Sequence, residues 1–548
     1  MKILFQNDWR DGFLDPWRAP EHYRIRVTAL ANLERLGDLY FVPKRSARML
    51  LNYLRELGPL DVMRKVLSRS KERRRNEKFL SIGLGVVLEA PASGNHAVGS
   101  RVLFIAPCHP ACQERLVLPE SLLAEALQQD KPGAAGSSPA AGIAYLDAQQ
   151  SAEAAARRPG WWKTLQGWNE FSGRSLADLP CEELMRAASD TLMSLPWSNA
   201  RTLPADAQAT PDEQTQTAGQ AADRGQSRKL RGVLFGHGNY AKTMTVPTLM
   251  PVCDLVAVHE IDPAALPASG PDGPRLDTSP WLRPDETVDV CMIAGFHHTH
   301  APLAVDTMRR GAIAVVEKPI ATTVEQLDEL VEEMRRGRGR IFGCFQKRYH
   351  PFNELAYQDL QARPGDPISY HCLVYEVPVP RLHWYAWPNS GSRIISNGCH
   401  WIDHFLHLNP GAAIVSQQLT LGPDETVNCS VTLDSGAMFT MVLTDRGSAR
   451  LGVREHAELR ANGATVTMTD GCVYRSENTD RVLRSTRVHR YAAHRAMYRR
   501  IGERIAAREP GDSLESIERS TALVLSLEQM LQEQRTQQAA EPVGCGEA

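Results

Sequence analysis

The chain has 548 residues, 43% of them hydrophobic and 23% charged, with a formal net charge of −2. That length allows about two to four domains with large buried cores, and the near-balanced charge excludes a protein held to nucleic acid by its overall field. Eleven cysteines, odd in number and scattered from Cys108 to Cys545, do not make a secreted disulfide framework, the start MKILFQNDWRDG reaches charge too early for a signal peptide, and no apolar run approaches the ~20 residues of a membrane span; the expectation is a soluble, cytoplasmic protein without a membrane or nucleic-acid partner.

Residues 46–75 carry helical periodicity broken at Gly58-Pro59 and close on the basic run Lys71-Glu72-Arg73-Arg74-Arg75, which reads as a solvated helix end or a local basic patch. FLSIGLGVVLEA (79–90), RVLFIAPCH (101–109) and ERLVLPESLL (114–123) read as short strands separated by turns. Cys108-His109-Pro110-Ala111-Cys112 is either half a zinc site or a buried turn, and no second ligand pair of compatible spacing lies nearby. Residues 1–145 therefore predict a mixed module with a small β core, with a surface loop at 131–142, and 146–202 a helical segment. The stretch 203–228 has no aromatic residue and a single leucine, so it cannot bury enough apolar surface to offset ordering and reads as a flexible linker.

Beyond the linker the rhythm becomes strand, helix, strand. GVLFG (232–236), DLVAVHE (254–260), VDVCMIAG (288–295), AIAVVEK (312–318) and RIFGCF (340–345) are short and rich in valine and isoleucine, with amphipathic helices between several of them. One helix opens on a capping-box pattern, Thr322 to Glu325, and stops at Gly337. Such alternation over 229–350 predicts an α/β unit, a doubly wound parallel sheet of Rossmann type. Over 351–535 the strands lengthen and alternate, with turns at Asp434-Ser435-Gly436 and Asn462-Gly463, so an α+β domain with a largely antiparallel sheet follows. Amphipathic helices near 491–509 and 513–534 pack back on the nucleotide unit, and 536–548 reads as a disordered tail.

GHGNYA places Gly236, Gly238 and Ala241 as GxGxxA after a strand. The first glycine permits a tight turn, the second a close approach of backbone N–H groups to a pyrophosphate, and the small third residue close helix packing. Glu260, ending the next strand, can accept hydrogen bonds from an adenosine ribose and repel a 2′-phosphate, which favours NAD; His259 or Arg275 could instead accommodate NADP. His297-His298-Thr299-His300 follows the third strand, and adjacent histidines do not converge easily on one ion, so a loop beside the cofactor is preferred and no metal is expected.

GHGNYA, IAGFHHTHAPLA, EKP, GCFQKRYHPF and NGCHWIDHFLHL, in that order and spacing, resemble the Gfo/Idh/MocA oxidoreductase family over about residues 230–535. The resemblance implies a nicotinamide cofactor, NAD or NADP, held by Gly236, Gly238, Asn239, Tyr240, Glu260, Gly295, His297, His300, Glu317, Lys318 and Pro319. It implies two catalytic residues: Lys318, whose ammonium steadies the developing alkoxide and orients the carbinol carbon, and His400, suited to trade a proton near neutral pH. A histidine satisfied at a helix start is the other reading of His400. Arg348, Tyr349, His383, Trp384, Arg393, Ser396 and Asp403 match segments that line the substrate pocket in relatives. Ser396 departs from the pattern, because relatives commonly carry an aspartate four residues before the histidine.

Upstream, SIGLGVVLEA and AVGSRVLFIAPCHPACQERLVLPESLL resemble the GroES-like part of medium-chain dehydrogenases. The expected function is hydride transfer to or from a carbinol or keto carbon of a sugar, sugar nucleotide or related polar metabolite. The alternatives are an imine or double-bond reductase, motivated by Ser396, and a non-catalytic cofactor-binding scaffold. The small-molecule substrate is the expected partner, together with a second copy of the chain bound through the C-terminal sheet.

Overall fold

The computed structural model describes residues 2–5, 8–11, 22–32, 81–106, 114–126, 143–146, 201–203, most of 229–447 and 452–540, and isolated positions at 54, 59, 62, 63 and 189. Within the long stretch, 239, 261–265, 267–272, 278, 379–384 and 386–387 fall outside the description. The helical pattern at 46–75, apart from those isolated positions, the Cys108 to Cys112 turn and the linker beyond residue 203 also lie outside the described residues.

In the N-terminal part a short antiparallel hairpin joins β1 (Lys2–Phe5) to β2 (Asp8–Asp11). A seven-stranded sheet is built from β3 (His22–Asn32), β4 (Ser81–Glu89), β5 (Arg101–Ala106), β6 (Arg115–Pro119), β7 (Leu123–Glu125), β8 (Ile143–Leu146) and β9 (Arg201–Leu203). Strand β3 pairs with β4, β6 and β8, yet the apolar runs in the sequence did not single it out. Its signal is alternation: Tyr23, Ile25 and Val27 are buried while Arg24, Arg26 and Thr28 between them are partly exposed. Strand β9 also occupies the end of the segment expected to be helical.

Strands β10 (Leu230–Phe235), β11 (Cys253–His259), β12 (Arg275–Asp277), β13 (Val290–Ile293), β14 (Ile313–Glu317) and β15 (Arg340–Cys344) form an all-parallel sheet in the order β12-β11-β10-β13-β14-β15. The chain starts at the centre and winds outward in both directions, so the crevice beyond the carboxyl ends of β10 and β13 is the topological switch point. Both faces are covered, which is why the strands are nearly continuous apolar runs. Val233, Ile293 and Val316 pack on the side of helices α1 (His300–Arg309) and α2 (Val324–Arg336). Leu234, Met292, Val315 and Phe342 face Met497, Tyr498 and Ile501 of a helix near the end of the chain. The capping box of α2 stands one residue later than the sequence pattern placed it. Thr323 is the N-cap and accepts from the Gln326 N–H at 3.3 Å, while Gln326 Oε1 accepts from the Thr322 N–H at 3.0 Å, so an amide does the work expected of Glu325.

After α3 (Phe352–Asp359) comes the second sheet: β16 (Ser369–Tyr375), β17 (Ile414–Leu421), β18 (Val427–Leu433), β19 (Met438–Thr444), β20 (Arg454–Ala461), β21 (Ala464–Thr469), β22 (Val473–Asn478) and β23 (Val482–Arg487). Its order is β17-β18-β19-β16-β20-β21-β22-β23, antiparallel throughout except for the parallel pair β16 and β19. Asn462 and Gly463, with φ of 46° and 74°, make the tight β20–β21 turn that the Asn-Gly pair predicts.

Helix α4 (Cys399–Leu408) lies between β16 and β17 in the chain, and α5 (Ala492–Ala506) and α6 (Leu514–Ala540) close the chain's described part. One buried core runs from the parallel sheet through Leu523, Leu527 and Leu531 of α6 to Phe439 and Leu459 of the second sheet. Helix α6 extends to Ala540, into the segment expected to be a tail. Gln534 and Gln538 hold its last turns by accepting from the Leu421 N–H at 2.7 Å and donating to the Leu421 carbonyl at 3.0 Å. Residues 541–548 lie outside the described residues.

Candidate active site

The glycine loop leaves β10 at the switch point. Gly236 has φ of 87°, and a Cβ there would lie 2.5 Å from the Ala294 carbonyl oxygen, so the loop crosses the end of β13 only without a side chain. A Cβ on Gly238 would meet nothing within 4 Å. The protein itself does not require glycine there; the open space suits a ligand's phosphates lying against the backbone. Ala241 is buried and opens a π-helical turn, Ala241–Thr245, followed by one α-turn, Val246–Leu249. Glu260 Oε2 accepts from the His237 N–H at 2.7 Å, which puts its carboxylate against the loop. Arg275 is committed elsewhere, with Nη2 2.6 Å from Glu286 Oε1, and His259 also bonds Glu286. Asn239 lies outside the described residues.

Strand β14 delivers EKP to the same edge. Glu317 is buried and does not face a cofactor with a free carboxylate: the Tyr498 phenol of α5 donates to Oε1, and Thr245 of the glycine-loop segment donates to the Tyr498 oxygen at 2.9 Å. Burial raises the carboxyl pKa of Glu317, and burial with the Glu317 charge raises that of the Tyr240 phenol. The Lys318–Pro319 bond is cis. His300 places Nδ1 2.7 Å from the Pro319 carbonyl and Nε2 3.2 Å from that of Gly295, and burial pushes its pKa down to about 4. A neutral ring donates to only one of them, so His300 ties the EKP loop to the end of β13 rather than binding a metal. His297 is buried with Nδ1 3.0 Å from the Ser390 carbonyl and its ring 4.8 Å from that of Tyr385. Among the described residues no group of three or more His, Cys, Asp and Glu is placed to hold a metal ion.

Lys318 Nζ donates to the Ser396 carbonyl at 2.7 Å. Ser396 sits in a buried π-turn, Ile394–Gly398, that runs directly into α4 and His400. Two motifs 78 residues apart in the chain thus meet at one carbonyl. His400 has a buried Nδ1 with no hydrogen-bond partner among the described residues. Burial, and then the charges of Lys318 and Lys347, hold its pKa well below the usual 6.5, so the ring is neutral at neutral pH. Lys318 keeps its proton despite burial, because Tyr385, Cys399, Glu317 and Glu376 favour the charged form.

Of the other expected pocket residues, several are engaged with the protein. Arg348 and Asp403 grip each other: the guanidinium Nε lies 2.9 Å and Nη2 2.5 Å from carboxylate oxygens of Asp403, which is fully buried, and Nη1 donates to Ser516 at 2.6 Å. The two residues expected at the substrate thus bind each other, in a buried ion pair between the segment after β15 and α4 to which Ser516 of α6 adds a further bond. Tyr349 packs against the cluster around α5, and burial and the nearby Asp512 raise its pKa to about 12. Arg393 remains near the site, with Nη2 3.1 Å from Asp445 and Nε 3.6 Å from Glu376. His383 and Trp384 lie outside the described residues.

The structure adds residues that the sequence did not single out. His494 on α5 has a buried Nδ1 without a partner among the described residues and a ring 6.2 Å from that of Tyr240; burial, then Lys318, push its pKa down to about 4. Lys347 pairs with Glu455 at 2.5 Å and lies 4.9 Å over the Trp401 ring. Glu376, buried at the end of β16, accepts from Asn397. Each comes from an element distant in sequence, which no local spacing reveals. The described cysteines from Cys253 to Cys472 are free thiols, and no helix among the described residues is long and apolar enough to cross a membrane.

Inositol 2-dehydrogenase 2 of Saccharopolyspora erythraea is 34% identical over 164 residues, covering 29% of this chain and 47% of that protein. The uncharacterized oxidoreductase YdgJ of Escherichia coli is 28% identical over 138 residues, covering 25% of this chain and 40% of its own length. The chain therefore spans less than half the length of these curated relatives. Among solved structures, a dehydrogenase from Chromobacterium violaceum superposes over 57% of this chain and 98% of its own with a TM-score of 0.49 at 14% identity. The WlbA dehydrogenase of the same organism, in complex with NADH and UDP-GlcNAcA, covers 56% of this chain and 95% of its own with a TM-score of 0.45 at 17% identity. Residues 232–343, which hold the glycine loop, the histidine cluster and EKP, match the Gfo/Idh/MocA oxidoreductase family, NAD-binding Rossmann fold.

Proposed function

We propose that the chain is a nicotinamide-dependent oxidoreductase that moves a hydride to or from the carbinol or keto carbon of a sugar, sugar nucleotide or similar polar metabolite. The observation that carries this reading is the meeting of Lys318 and His400 beside the switch point: a charged amine anchored on Ser396, and four residues on a neutral imidazole whose Nδ1 has no partner among the described residues. A bound nicotinamide supplies or accepts the hydride. Lys318 donates to the oxygen of the reacting carbon and lowers the energy of its alkoxide. His400, neutral near pH 7, takes the hydroxyl proton in oxidation and returns it in reduction. Absorbance at the reduced-nicotinamide band with polyols, aldoses and sugar nucleotides tests the reading; no turnover of any of them by the wild-type chain would sink it.

The open space at Gly238 and the acid at Glu260 fit a dinucleotide, and the carboxylate against the loop supports NAD over NADP. Replacing Glu260→Ser should shift the NAD-to-NADP ratio of kcat/KM toward NADP by about tenfold, or ~1.4 kcal/mol. An unchanged ratio would remove Glu260 from cofactor choice. We propose further that two copies pair through the second sheet, which leaves Ile414 and Val415 of its edge strand β17 and Met438 of β19 more than a third exposed. Val415→Glu should turn a dimer into a monomer on size-exclusion with light scattering, and a monomeric wild type would refute the pairing.

A further inference from the structure

Ser396 leaves the turn before His400 without a carboxylate, and the fold brings one there from another strand. We propose that Glu376, just past the carboxyl end of β16, is a positioning residue of this site: its carboxylate is the counter-charge of Lys318 and the stay that aims Arg393. This rests on the reading of Lys318 as the group at the reacting oxygen.

The geometry is carried by one turn. Lys318 Nζ donates to the carbonyl of Ser396 at 2.7 Å, and the side chain of the next residue, Asn397, donates to Glu376 Oε1 at 2.5 Å. Arg393, at the start of the same turn, has Nε 3.6 Å from Glu376 Oε2. Cation and anion are therefore anchored on consecutive residues. The Glu376 backbone is fixed as well, with its N–H donating to the Thr444 carbonyl at 2.8 Å, and the residue is 5% exposed. Its pairing with Arg393 does not exhaust its role, since Asp445 already lies 3.1 Å from Arg393 Nη2. Arg393 Nη1 is buried with no partner among the described residues, which leaves a donor for a ligand.

Tyr385, Cys399, Glu317 and Glu376 are the groups that favour the Lys318 ammonium, and Glu317 is itself bonded by Tyr498. Burial, and to a lesser degree the lysine's charge, lower the pKa of His297, His300, His400 and His494. Arg393 and Lys318 favour the Glu376 carboxylate, Asp445 opposes it, and burial raises its pKa most.

The test is the reactivity of the Lys318 amine toward a small acylating reagent, read by mass spectrometry across alkaline pH, beside steady-state turnover. Glu376→Gln keeps an acceptor for Asn397 and removes the charge. The labelling profile of Lys318 should move to lower pH, turnover should fall about 10- to 100-fold, and Glu376→Asp should restore part of both. An unmoved labelling profile in a folded Glu376→Gln chain overturns the proposal, whatever its turnover. If that variant does not fold, Asn397→Ala frees the carboxylate with its charge intact; a lower profile and slower turnover support the proposal, and wild-type values overturn it. A wild type that turns nothing over, with a Glu376-dependent labelling profile, would instead remove the oxidoreductase reading while leaving the ion pair standing.

Discussion

Lys318→Ala should lower kcat/KM for hydride transfer by about a thousandfold or more while leaving dinucleotide affinity within about threefold. In the proposed reaction the ammonium meets the charge that develops as the carbinol oxygen becomes an alkoxide, and among the described residues no other amine stands on the Ser396 carbonyl. Cofactor affinity, by contrast, draws on the backbone at Gly236 and Gly238 and on Glu260, which the substitution leaves in place. Lys318→Met fills most of the same volume and should lose activity equally, separating charge from packing. Titration of NADH fluorescence with the variant gives the affinity, and steady-state rates give the rest. Retention of more than about a tenth of wild-type kcat/KM would mean that the lysine does not act on the reacting oxygen.

Asp403→Ala should destabilise the fold by about 3–5 kcal/mol, because it strands the buried Arg348 guanidinium without its counter-charge. The pair is more than a surface bridge: Asp403 is 0% exposed, and Arg348 also donates to Ser516 on α6. The unfolding midpoint in urea should drop strongly. The double variant Arg348→Met, Asp403→Leu should recover much of the loss, since replacing both charges leaves no orphan. If Asp403→Ala melts like the wild type but raises KM for substrate, the pair belongs to the pocket after all.

How much was legible follows from these same residues. The strands β10, β11, β13, β14 and β15 could be read because burial makes them short, mostly apolar runs, whereas β12 is three residues, Arg275–Asp277, too short for any period. The capping box slipped by one because Gln326 caps as well as a glutamate does. Lys318 and His400 stood out by motif, and the fold brings their segments together. Arg348 and Asp403 were expected in the pocket because they match segments that line it in relatives, and their bond to each other, 55 residues apart, leaves no trace in local spacing. Glu376 follows directly on β16, whose alternation says only that Tyr370, Cys372 and Val374 face inward. Its place beside Lys318 depends on β16 lying between β19 and β20, a pairing that no local pattern encodes.

The two closing helices set the order in which the site can come into being. Glu317 waits for a hydroxyl 181 residues later, and Arg348 for a serine 168 residues later. A nascent chain that has already exposed its glycine loop, EKP and the His400 turn still lacks both partners until α5 and the start of α6 have left the ribosome. Contacts closed over such distances form slowly, and the same α5 that brings the Tyr498 hydroxyl also covers one face of the parallel sheet with Met497 and Ile501, so the candidate site and that half of the sheet's core are completed together, at the end.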